Sequence, residues 1–220
     1  MSGKLIVIEG LDGSGKATQA KLLYEALQSR DTAVRAVSFP DYASDSSALI
    51  KMYLSGAFGS DPGDVNAYAA SSFYAVDRYA SFKKDWGGFY QKGGIIVADR
   101  YTTSNAIHQC SKLPEEQWDG YLDWLFEFEY RLLGIPAPDL VFYLKVEPEV
   151  SQKLMTGRYH GDESRKDIHE SNLAYLDRSR KAAEYCANRL GWKTVLCSRA
   201  GEMRGIDEIH AELLSVVENR

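Results

Sequence analysis

The stretch Leu5–Thr18, LIVIEGLDGSGKAT, joins a short apolar run to a glycine-rich turn that contains a lysine. From Gly10 it matches the pattern GxxxxGK. Glycines adopt backbone conformations closed to other residues, so the amides of such a turn can point at phosphate oxygens beside the positive end of the next helix. The sequence therefore predicts a strand, a phosphate-binding loop and a helix. The predicted nucleotide-binding residues are Gly10, Leu11, Asp12, Gly13, Ser14, Gly15, Lys16, Ala17 and Thr18.

One position departs from this pattern. The residue after the lysine is usually Ser or Thr and binds magnesium, but here it is Ala17. Thr18 follows, yet a shift of one residue rotates a helical side chain by about 100°, so it is not an equivalent ligand. Water or another residue would then complete the magnesium shell. A degenerate loop that binds a nucleotide without turnover is the alternative.

Four more short apolar runs predict strands, and longer helical patterns separate them. With Leu5–Ile8, the predicted strands are Ala33–Val37, Ile95–Val97, Leu140–Leu144 and Thr194–Cys197. The runs are continuous in polarity, which is typical of central strands covered on both faces. This order predicts an α/β fold with a parallel sheet of about five strands and helices on both faces.

The helical patterns leave one region uncovered. The predicted helices are Gly15–Ser29, Ser46–Ser55, Val65–Tyr90, Glu115–Leu133, Pro148–Gly157, Glu170–Leu190 and Asp207–Glu218. Residues Arg158–His169 are rich in charge and glycine and lack apolar periodicity, which indicates a mobile surface segment. We expect one domain over residues 1–220 with a short lid at about residues 157–170, since no linker divides the chain.

Composition excludes several classes of protein. The formal net charge of −5 gives no general footprint for nucleic acid. No apolar run approaches the roughly 20 residues that span a bilayer, and no signal-peptide pattern is visible. Cys110, Cys186 and Cys197 are odd in number and widely spaced, so we expect three buried thiols rather than disulfide bonds. Together these features predict a cytoplasmic protein without membrane or nucleic-acid partners.

Several segments together resemble the thymidylate kinase family over almost the whole chain. They are EGLDGSGKATQ (9–19), FPDY (39–42), FYAVDR (73–78), DRYTTSNAIHQ (99–109) and RKDIHE (165–170). The resemblance implies a P-loop kinase fold, phosphoryl transfer from ATP to thymidine monophosphate (dTMP) with Mg²⁺, and a homodimer. A kinase for another pyrimidine nucleotide or for a deoxynucleoside, and a non-catalytic nucleotide-binding protein, are the alternatives.

The resemblance also implies roles at the ends of two strands. Asp12 matches the loop residue that reaches the acceptor sugar, with a loop-stabilising Asx turn as the alternative. Asp99 and Arg100 follow the third strand, where ligands of open parallel sheets bind. Arg100 would hold the acceptor phosphate, and Asp99 would organise magnesium through water or accept a proton. A structural salt bridge is the other interpretation of this pair.

A second group of residues would bind the acceptor's base and sugar. Tyr74 and Arg78 are four residues apart on a predicted helix, so they share one face. In the family this spacing belongs to an aromatic ring that stacks on thymine and an arginine that binds its carbonyl group. Tyr74 and its neighbour Phe73 have core packing as the alternative. The family also lines this pocket at the positions of Ser104, Asn105, His108 and Gln109, where His108 replaces an aromatic residue and could otherwise be a helix-surface histidine.

Cations complete the predicted site. Pro40 lies in the loop that carries a phosphate-binding arginine in some relatives, and Lys51 is the nearest basic residue here, with a solvated helix lysine as the alternative. Gly13 occupies the loop position that supplies a catalytic arginine in other relatives, so we expect the lid to supply a cation from Arg158, Arg165 or Lys166. A solvated charge run is the alternative. Arg199, after the last strand, is a candidate for packing on the donor adenine. The aromatic residues Trp118, Tyr121, Trp124, Leu125 and Phe128 fit either core or a dimer face.

Overall fold

The computed structural model of the protein describes residues 2–30, 32–158 and 173–219. Its main sheet has five parallel strands in the order β2-β3-β1-β4-β5. The strands are β1 (Lys4–Gly10), β2 (Val34–Ser38), β3 (Ile95–Asp99), β4 (Leu140–Lys145) and β5 (Lys193–Leu196). The predicted fold class is confirmed, and each predicted strand lies within a few residues of its observed position.

Helices cover both faces of this sheet. They are α1 (Lys16–Gln28), α2 (Ala48–Leu54), α3 (Ala67–Ser81), α4 (Gly87–Gln91), α5 (Thr102–Cys110), α6 (Trp118–Phe126), α7 (Pro148–Arg158), α8 (Leu173–Arg189) and α9 (Ile206–Glu218). Alternate side chains of β1 divide between the faces, because successive strand residues point in opposite directions. Ile6 and Ile8 pack in the layer of α1 and α9, whereas Leu5 and Val7 pack with Trp86 and Tyr101.

Two predicted long helices are interrupted in the structure. The segment predicted as Val65–Tyr90 consists of α3, a π-helical turn at Phe82–Trp86 and α4. The change coincides with Gly87, where a Cβ atom would lie only 2.5 Å from the Phe82 carbonyl oxygen. The segment predicted as Glu115–Leu133 is a 3₁₀ turn, α6 and a second π-helical turn at Glu127–Leu132. The predicted helix Ser46–Ser55 likewise begins as a 3₁₀ turn.

Sequence patterns did not predict α5. Its sequence, TTSNAIHQC, contains β-branched and short polar residues of modest helix propensity. Most of its residues are nevertheless buried, and it packs against α3, α6 and α8. Tertiary burial therefore stabilises this helix. A small antiparallel hairpin of β6 (Ser198–Arg199) and β7 (Glu202–Met203) was also not predicted.

The three cysteines are buried free thiols, as expected. Burial raises the pKa of the Cys197 thiol to about 12. Among the described helices, none combines the length and apolarity that a membrane-spanning segment needs.

Candidate active site

The loop after β1 has the backbone that a phosphate site requires. Gly13 and Gly15 have positive φ angles of 78° and 79°, which other residues rarely adopt. A Cβ atom on Gly13 would also lie 2.9 Å from the Ser151 carbonyl oxygen in α7. Around Gly15, by contrast, a Cβ atom would meet no described atom within 4 Å. The loop is thus packed against α7 on one side and open at the start of α1.

The start of α1 provides unpaired backbone donors. Gly15 occupies the N-cap, and no side chain within the described ranges caps the helix. Lys16 is the first helical residue, and its Nζ atom is 3.3 Å from Asp12 Oδ1 and 3.3 Å from the Leu11 carbonyl oxygen. Burial, reinforced by the charge of Arg100, lowers the pKa of Lys16, although Asp12, Asp99 and Glu9 oppose the shift. A bound phosphate would supply the negative charge that stabilises the charged form of this lysine.

Arg100 reaches the same loop from the neighbouring strand. Its Nη2 atom is 2.7 Å from Asp12 Oδ1, and its Nη1 atom lies 3.3 Å from His108 Nε2. Its backbone has a φ angle of 66°, an unusual conformation for a residue other than glycine. Strained backbone of this kind clusters at functional sites. Burial raises the pKa of Asp12, but Lys16, Arg100 and His108 outweigh it, so the pKa of this carboxyl lies well below its ordinary value.

A fully buried carboxylate, Glu9, supports Arg100. Its Oε1 atom lies 3.8 Å from Arg100 Nη1 and accepts a hydrogen bond of 3.0 Å from the Gly10 amide. Its Oε2 atom accepts hydrogen bonds of 2.8 Å from the hydroxyls of Thr103 and Ser104. Glu9 thereby connects the phosphate loop, Arg100 and α5. Sequence reasoning missed it, although an acidic residue near the end of a buried strand was a visible signal.

Asp99 places a largely buried carboxylate close to the charges of Lys16 and Arg100. Its Oδ1 atom is buried and has no hydrogen-bond partner among the residues that the structure describes. Burial raises the pKa of Asp99, opposed by the charges of Lys16 and Arg100. Within the described ranges, no group of three or more His, Cys, Asp or Glu side chains is arranged to hold a metal. Magnesium commonly keeps several waters and uses one or two carboxylates plus substrate phosphates, so a single carboxylate fits this role.

Arg78 lies in a buried network behind this cluster. Its Nε and Nη2 atoms donate hydrogen bonds of 2.7 and 2.6 Å to the two oxygens of Glu129, and its Nη1 atom lies 3.4 Å from the Tyr101 carbonyl oxygen. Burial lowers the pKa of Arg78, but Glu129 outweighs this and raises it overall. Asn105 joins the network, since its Nδ2 atom donates to Glu129 Oε1 and to the Ser71 carbonyl oxygen.

The other predicted acceptor-site residues lie around these two groups. Tyr74 is half-buried and close enough to Arg100 to influence its pKa. Phe73 instead packs its ring against Phe58 and Tyr53, with centroid distances of 5.7 and 6.4 Å. Gln109 is buried, and no described residue forms a hydrogen bond with its Oε1 atom.

His108 lies between Arg100 and α8. Its ring stacks on Tyr175 at 6.2 Å between centroids, with 15° between the planes. The Tyr175 hydroxyl also donates a hydrogen bond of 3.1 Å to the His108 carbonyl oxygen. The ring is therefore partly buried between Arg100 and Tyr175 and does not project freely into solvent.

The loop after β2 is fastened to α3 by a buried carboxylate. Pro40 follows a cis peptide bond and is half-buried. The next amide, of Asp41, donates a hydrogen bond of 2.8 Å to Asp77 Oδ2, while the Ser46 hydroxyl donates one of 2.6 Å to Asp77 Oδ1. Asp77 directly precedes Arg78. Lys51, on α2, is exposed.

The predicted donor-side cations are described only in part. Arg199 is exposed on β6 and lies opposite Glu202 in the backbone register of the hairpin. Arg165 and Lys166 lie outside the described residues, as does most of the predicted lid. Of Arg158, only the backbone at the end of α7 is described. The start of α7 touches the phosphate loop, because the Ser151 hydroxyl donates a hydrogen bond of 2.7 Å to the Asp12 carbonyl oxygen.

Two strand ends therefore bring a glycine-rich phosphate loop, Lys16, Asp12 and Arg100 together, in front of a buried polar network. A parallel sheet carrying this arrangement defines a P-loop kinase of small molecules.

Comparisons with known proteins define the family. The family model described as "Thymidylate kinase" matches residues 8–202, and the chain belongs to this family. A thymidylate kinase from Mycobacterium tuberculosis is 30% identical over 178 residues, which cover 80% of this chain and 81% of that protein. One from Schizosaccharomyces pombe is 26% identical and covers 99% of this chain and 92% of its own length. A solved thymidylate kinase from Candida albicans superposes with a TM-score of 0.73 at 22% identity, over 99% of this chain and 92% of that chain, which shows the same fold.

Proposed function

We propose that the protein transfers the γ-phosphoryl group of ATP to dTMP, giving dTDP and ADP. The observation that carries this proposal is Asp12, which touches both cations of the site. Its Oδ1 atom lies 3.3 Å from Lys16 Nζ, on the donor side, and 2.7 Å from Arg100 Nη2, on the acceptor side. Donor and acceptor phosphates bound by these cations would meet across one carboxylate.

The chemistry needs alignment and charge neutralisation more than covalent participation. Lys16 and the free amides of α1 would hold the β- and γ-phosphates. Arg100 would hold the dTMP phosphate in a charge-assisted grip and bring its oxygen toward the γ-phosphorus. Asp12, now paired with both cations, would exchange part of this pairing for the acceptor sugar. Glu9 would keep Arg100 in place throughout, because it is anchored to α5.

Magnesium is a proposed cofactor. When bound, it would supply positive charge to the β- and γ-phosphate oxygens. Asp99 would hold it through water, since its buried Oδ1 atom, which has no partner in the described part of the chain, lies at the end of β3, beside β1. Ala17 offers no side-chain ligand, so the residues present fit a hydrated ion better than one bound directly by the helix.

The lid remains a prediction from the sequence. We propose that a cation among Arg158, Arg165 and Lys166 approaches the transferring phosphate. Its support in the described residues is the contact between Ser151 and the Asp12 carbonyl oxygen, which ties the helix leading into residues 157–170 to the phosphate loop. We also propose that Lys51 helps to bind the acceptor phosphate and that Arg199 packs on the donor adenine. Both contributions to binding should be smaller than that of Arg100, because both side chains are exposed.

A substrate panel tests the proposed reaction. ADP release from ATP and Mg²⁺ would be measured with dTMP, dUMP, UMP, dCMP and thymidine. We expect the highest kcat/KM with dTMP, because the family and the relatives that the chain matches are thymidylate kinases. Preference for another acceptor would keep the kinase and change the substrate. Absence of turnover with every acceptor, together with normal ATP binding, would favour the non-catalytic alternative.

We also propose a homodimer formed through α3 and α6. Tyr68, Val76 and Tyr79 are exposed on one stripe of α3, and the Tyr68 ring packs on Trp124 of α6 at 4.7 Å. Trp118, Tyr121 and Leu125 instead belong to the core. A second copy would cover the stripe, so Val76→Glu should shift the molar mass in light scattering from dimer to monomer. An unchanged dimer would exclude this face.

A cytoplasmic location is the remaining proposal. It is supported by the three buried free thiols, which suit a reducing compartment. Fractionation of cells that produce the protein would test it, and recovery outside the cytoplasm would contradict it.

A further inference from the structure

Glu129 occupies a position where the helix pattern calls for an apolar residue. It continues the buried stripe of Tyr121 and Leu125 at intervals of four residues, and it is fully buried. It lies in the π-helical turn Glu127–Leu132, a type of turn frequently found at functional sites. A carboxylate in such a place is costly unless every oxygen is paired.

Four donors satisfy this carboxylate. Arg78 donates to both oxygens, the Thr102 hydroxyl donates to Oε2 at 2.8 Å, and Asn105 Nδ2 donates to Oε1 at 3.1 Å. Arg78 and Asn105 thus share the Oε1 atom. Glu129 therefore fixes the guanidinium and the amide relative to each other, although α3 and α5 carry them separately.

The same contacts decide which way the Asn105 amide faces. Both partners of Nδ2, Glu129 Oε1 and the Ser71 carbonyl oxygen, can only accept hydrogen bonds. The reversed amide would place oxygen against oxygen at two points. The amide hydrogens are consequently committed to the protein, and Oδ1 is the atom with which Asn105 can meet a ligand, as an acceptor.

This combination has a definite chemical preference. A pyrimidine that turns its 4-position to Arg78 as donor and its 3-position to Asn105 Oδ1 as acceptor must carry an acceptor at position 4 and a donor at position 3. Thymine and uracil offer O4 next to N3–H, whereas cytosine offers an amino group next to an unprotonated N3. Resting on the proposed function, we propose that Glu129 is the positioning residue that makes the site select a thymine-type base and reject a cytosine-type base.

A purely structural role for Glu129 makes a different prediction. Loss of a buried ion pair would lower stability and reduce activity toward every acceptor in proportion. Loss of the orientation would instead raise KM for dTMP selectively, because either Arg78 or the Asn105 amide would be free to turn. The ratio of the kcat/KM values for dTMP and dCMP separates these roles.

The test compares the full-length wild type with three variants. Glu129→Gln replaces one acceptor oxygen by an amide group, so it cannot accept from all four donors. Thr102→Val removes a single donor with little change in shape. Ser179→Ala is the matched control, because it removes a buried hydroxyl that donates a hydrogen bond of 3.3 Å to Ser111 Oγ rather than to a member of the Glu129 network. For each protein, steady-state kinetics with dTMP, dCMP and ATP would be measured, with calorimetric binding of dTMP and dCMP in the absence of ATP and a thermal unfolding curve.

We expect Glu129→Gln to lower the dTMP to dCMP ratio by about tenfold or more, chiefly through KM for dTMP, with KM for ATP nearly unchanged. Thr102→Val should lower the ratio by about threefold, and Ser179→Ala should leave it unchanged. A folded Glu129→Gln with the wild-type ratio would overturn the proposal. If that variant does not fold, Thr102→Val decides, and an unaltered ratio would overturn it.

The binding measurements keep this proposal distinct from the proposed function. Wild type that binds dTMP preferentially but releases no ADP would refute the kinase reaction, while the binding ratios of the variants would still decide the role of Glu129. Wild type that binds dTMP and dCMP equally would refute the Glu129 proposal, even if both were phosphorylated.

Discussion

The two ends of the candidate site use buried cations in opposite ways. At the phosphate end, burial lowers the pKa of Lys16, because its anionic partners do not fully compensate its charge. At the base end, the pKa of Arg78 is raised, because Glu129 outweighs the effect of burial. The phosphate end therefore has too little negative charge to balance its cations until a ligand binds. At the base end, Glu129 already balances the charge of Arg78.

This difference predicts that the phosphate end recognises the charge of its ligand, whereas the base end recognises the hydrogen-bonding pattern of its ligand. An incomplete cluster gains most from an anion, so the phosphate end should supply much of the transition-state stabilisation. A complete network gains little charge from an uncharged base, but it holds donors and acceptors in one geometry and can discriminate between bases. Substitutions at the two ends should consequently differ in their effects on turnover, specificity and stability.

The largest expected effect comes from Lys16→Ala. We expect kcat to fall by about 10³-fold, because the phosphates lose a preorganised cation, while the fold is retained. Coupled ADP-release kinetics and a thermal unfolding curve would measure this. Lys21→Ala, on the exposed side of the same helix, is the control and should keep wild-type activity. Near-normal turnover by Lys16→Ala would refute the role of the phosphate loop.

Arg78→Ala should affect both stability and specificity. It leaves Glu129 as an unpaired buried charge, so the free energy of unfolding should fall by about 3–5 kcal/mol. In the folded fraction, kcat/KM for dTMP should fall by about 100-fold, with KM for ATP nearly unchanged. Urea unfolding and kinetics at low temperature would measure both. Arg189→Ala, which breaks an exposed pair with Asp119, should change stability by at most about 1 kcal/mol. Equal losses for dTMP and ATP would contradict the assignment to the base.

Glu9→Gln tests how the two ends are connected. The substitution removes the negative charge beside Arg100 but keeps a side chain of similar shape between the loop and α5. We expect kcat/KM for dTMP to fall by about tenfold, because Arg100 is held less firmly. Kinetics with saturating ATP would measure the loss. Wild-type kinetics would show that Asp12 alone positions Arg100.

The smallest expected effect concerns a third cation. Lys112 Nζ donates hydrogen bonds of 2.7 Å to the Tyr53 hydroxyl and 3.0 Å to the Val65 carbonyl oxygen. Burial lowers its pKa from 10.5 to about 7, opposed by Asp61. Between these two pKa values the unfolded chain binds more protons at this residue, so its contribution makes the protein more stable as the pH rises.

Lys112→Met should remove that contribution. The increase in the free energy of unfolding from pH 7 to pH 9 should be about 1–2 kcal/mol larger in wild type than in the variant. Urea unfolding at the two pH values would measure it, and Lys181→Met, at an exposed position of α8, should keep the wild-type increase. Identical increases in wild type and Lys112→Met would show that burial does not shift this lysine.

Sequence patterns predicted the fold well where the signals were local. All five strands follow from short apolar runs, since a strand buried on both faces must be apolar throughout. The helix α5 was missed, because its residues have little helical propensity and are helical through burial against α3, α6 and α8. The two π-helical turns were also missed, because an apolar pattern does not distinguish a π turn from the α-helix around it.

The candidate site divides in the same way. The roles of Lys16, Asp12, Arg100 and the acceptor-side residues remain predictions, and the structure brings the first three of these into one cluster. Glu9 and Glu129 were not predicted. The available signals were an acidic residue near the end of a buried strand and an acidic residue in an apolar helical stripe, but neither pattern indicates a partner.

The sequence by itself determined the phosphate loop, the parallel α/β sheet and the family, because these depend on residues that are neighbours in the chain or on short repeating patterns. Only the tertiary structure decided that Glu9 supports Arg100 and that Glu129 joins Arg78 to Asn105. The Arg78 and Glu129 side chains are 51 residues apart in sequence but in contact at 2.6 Å. The physical reason is that a buried charge must find its partner wherever the fold places one, and spacing along the chain carries no information about that choice.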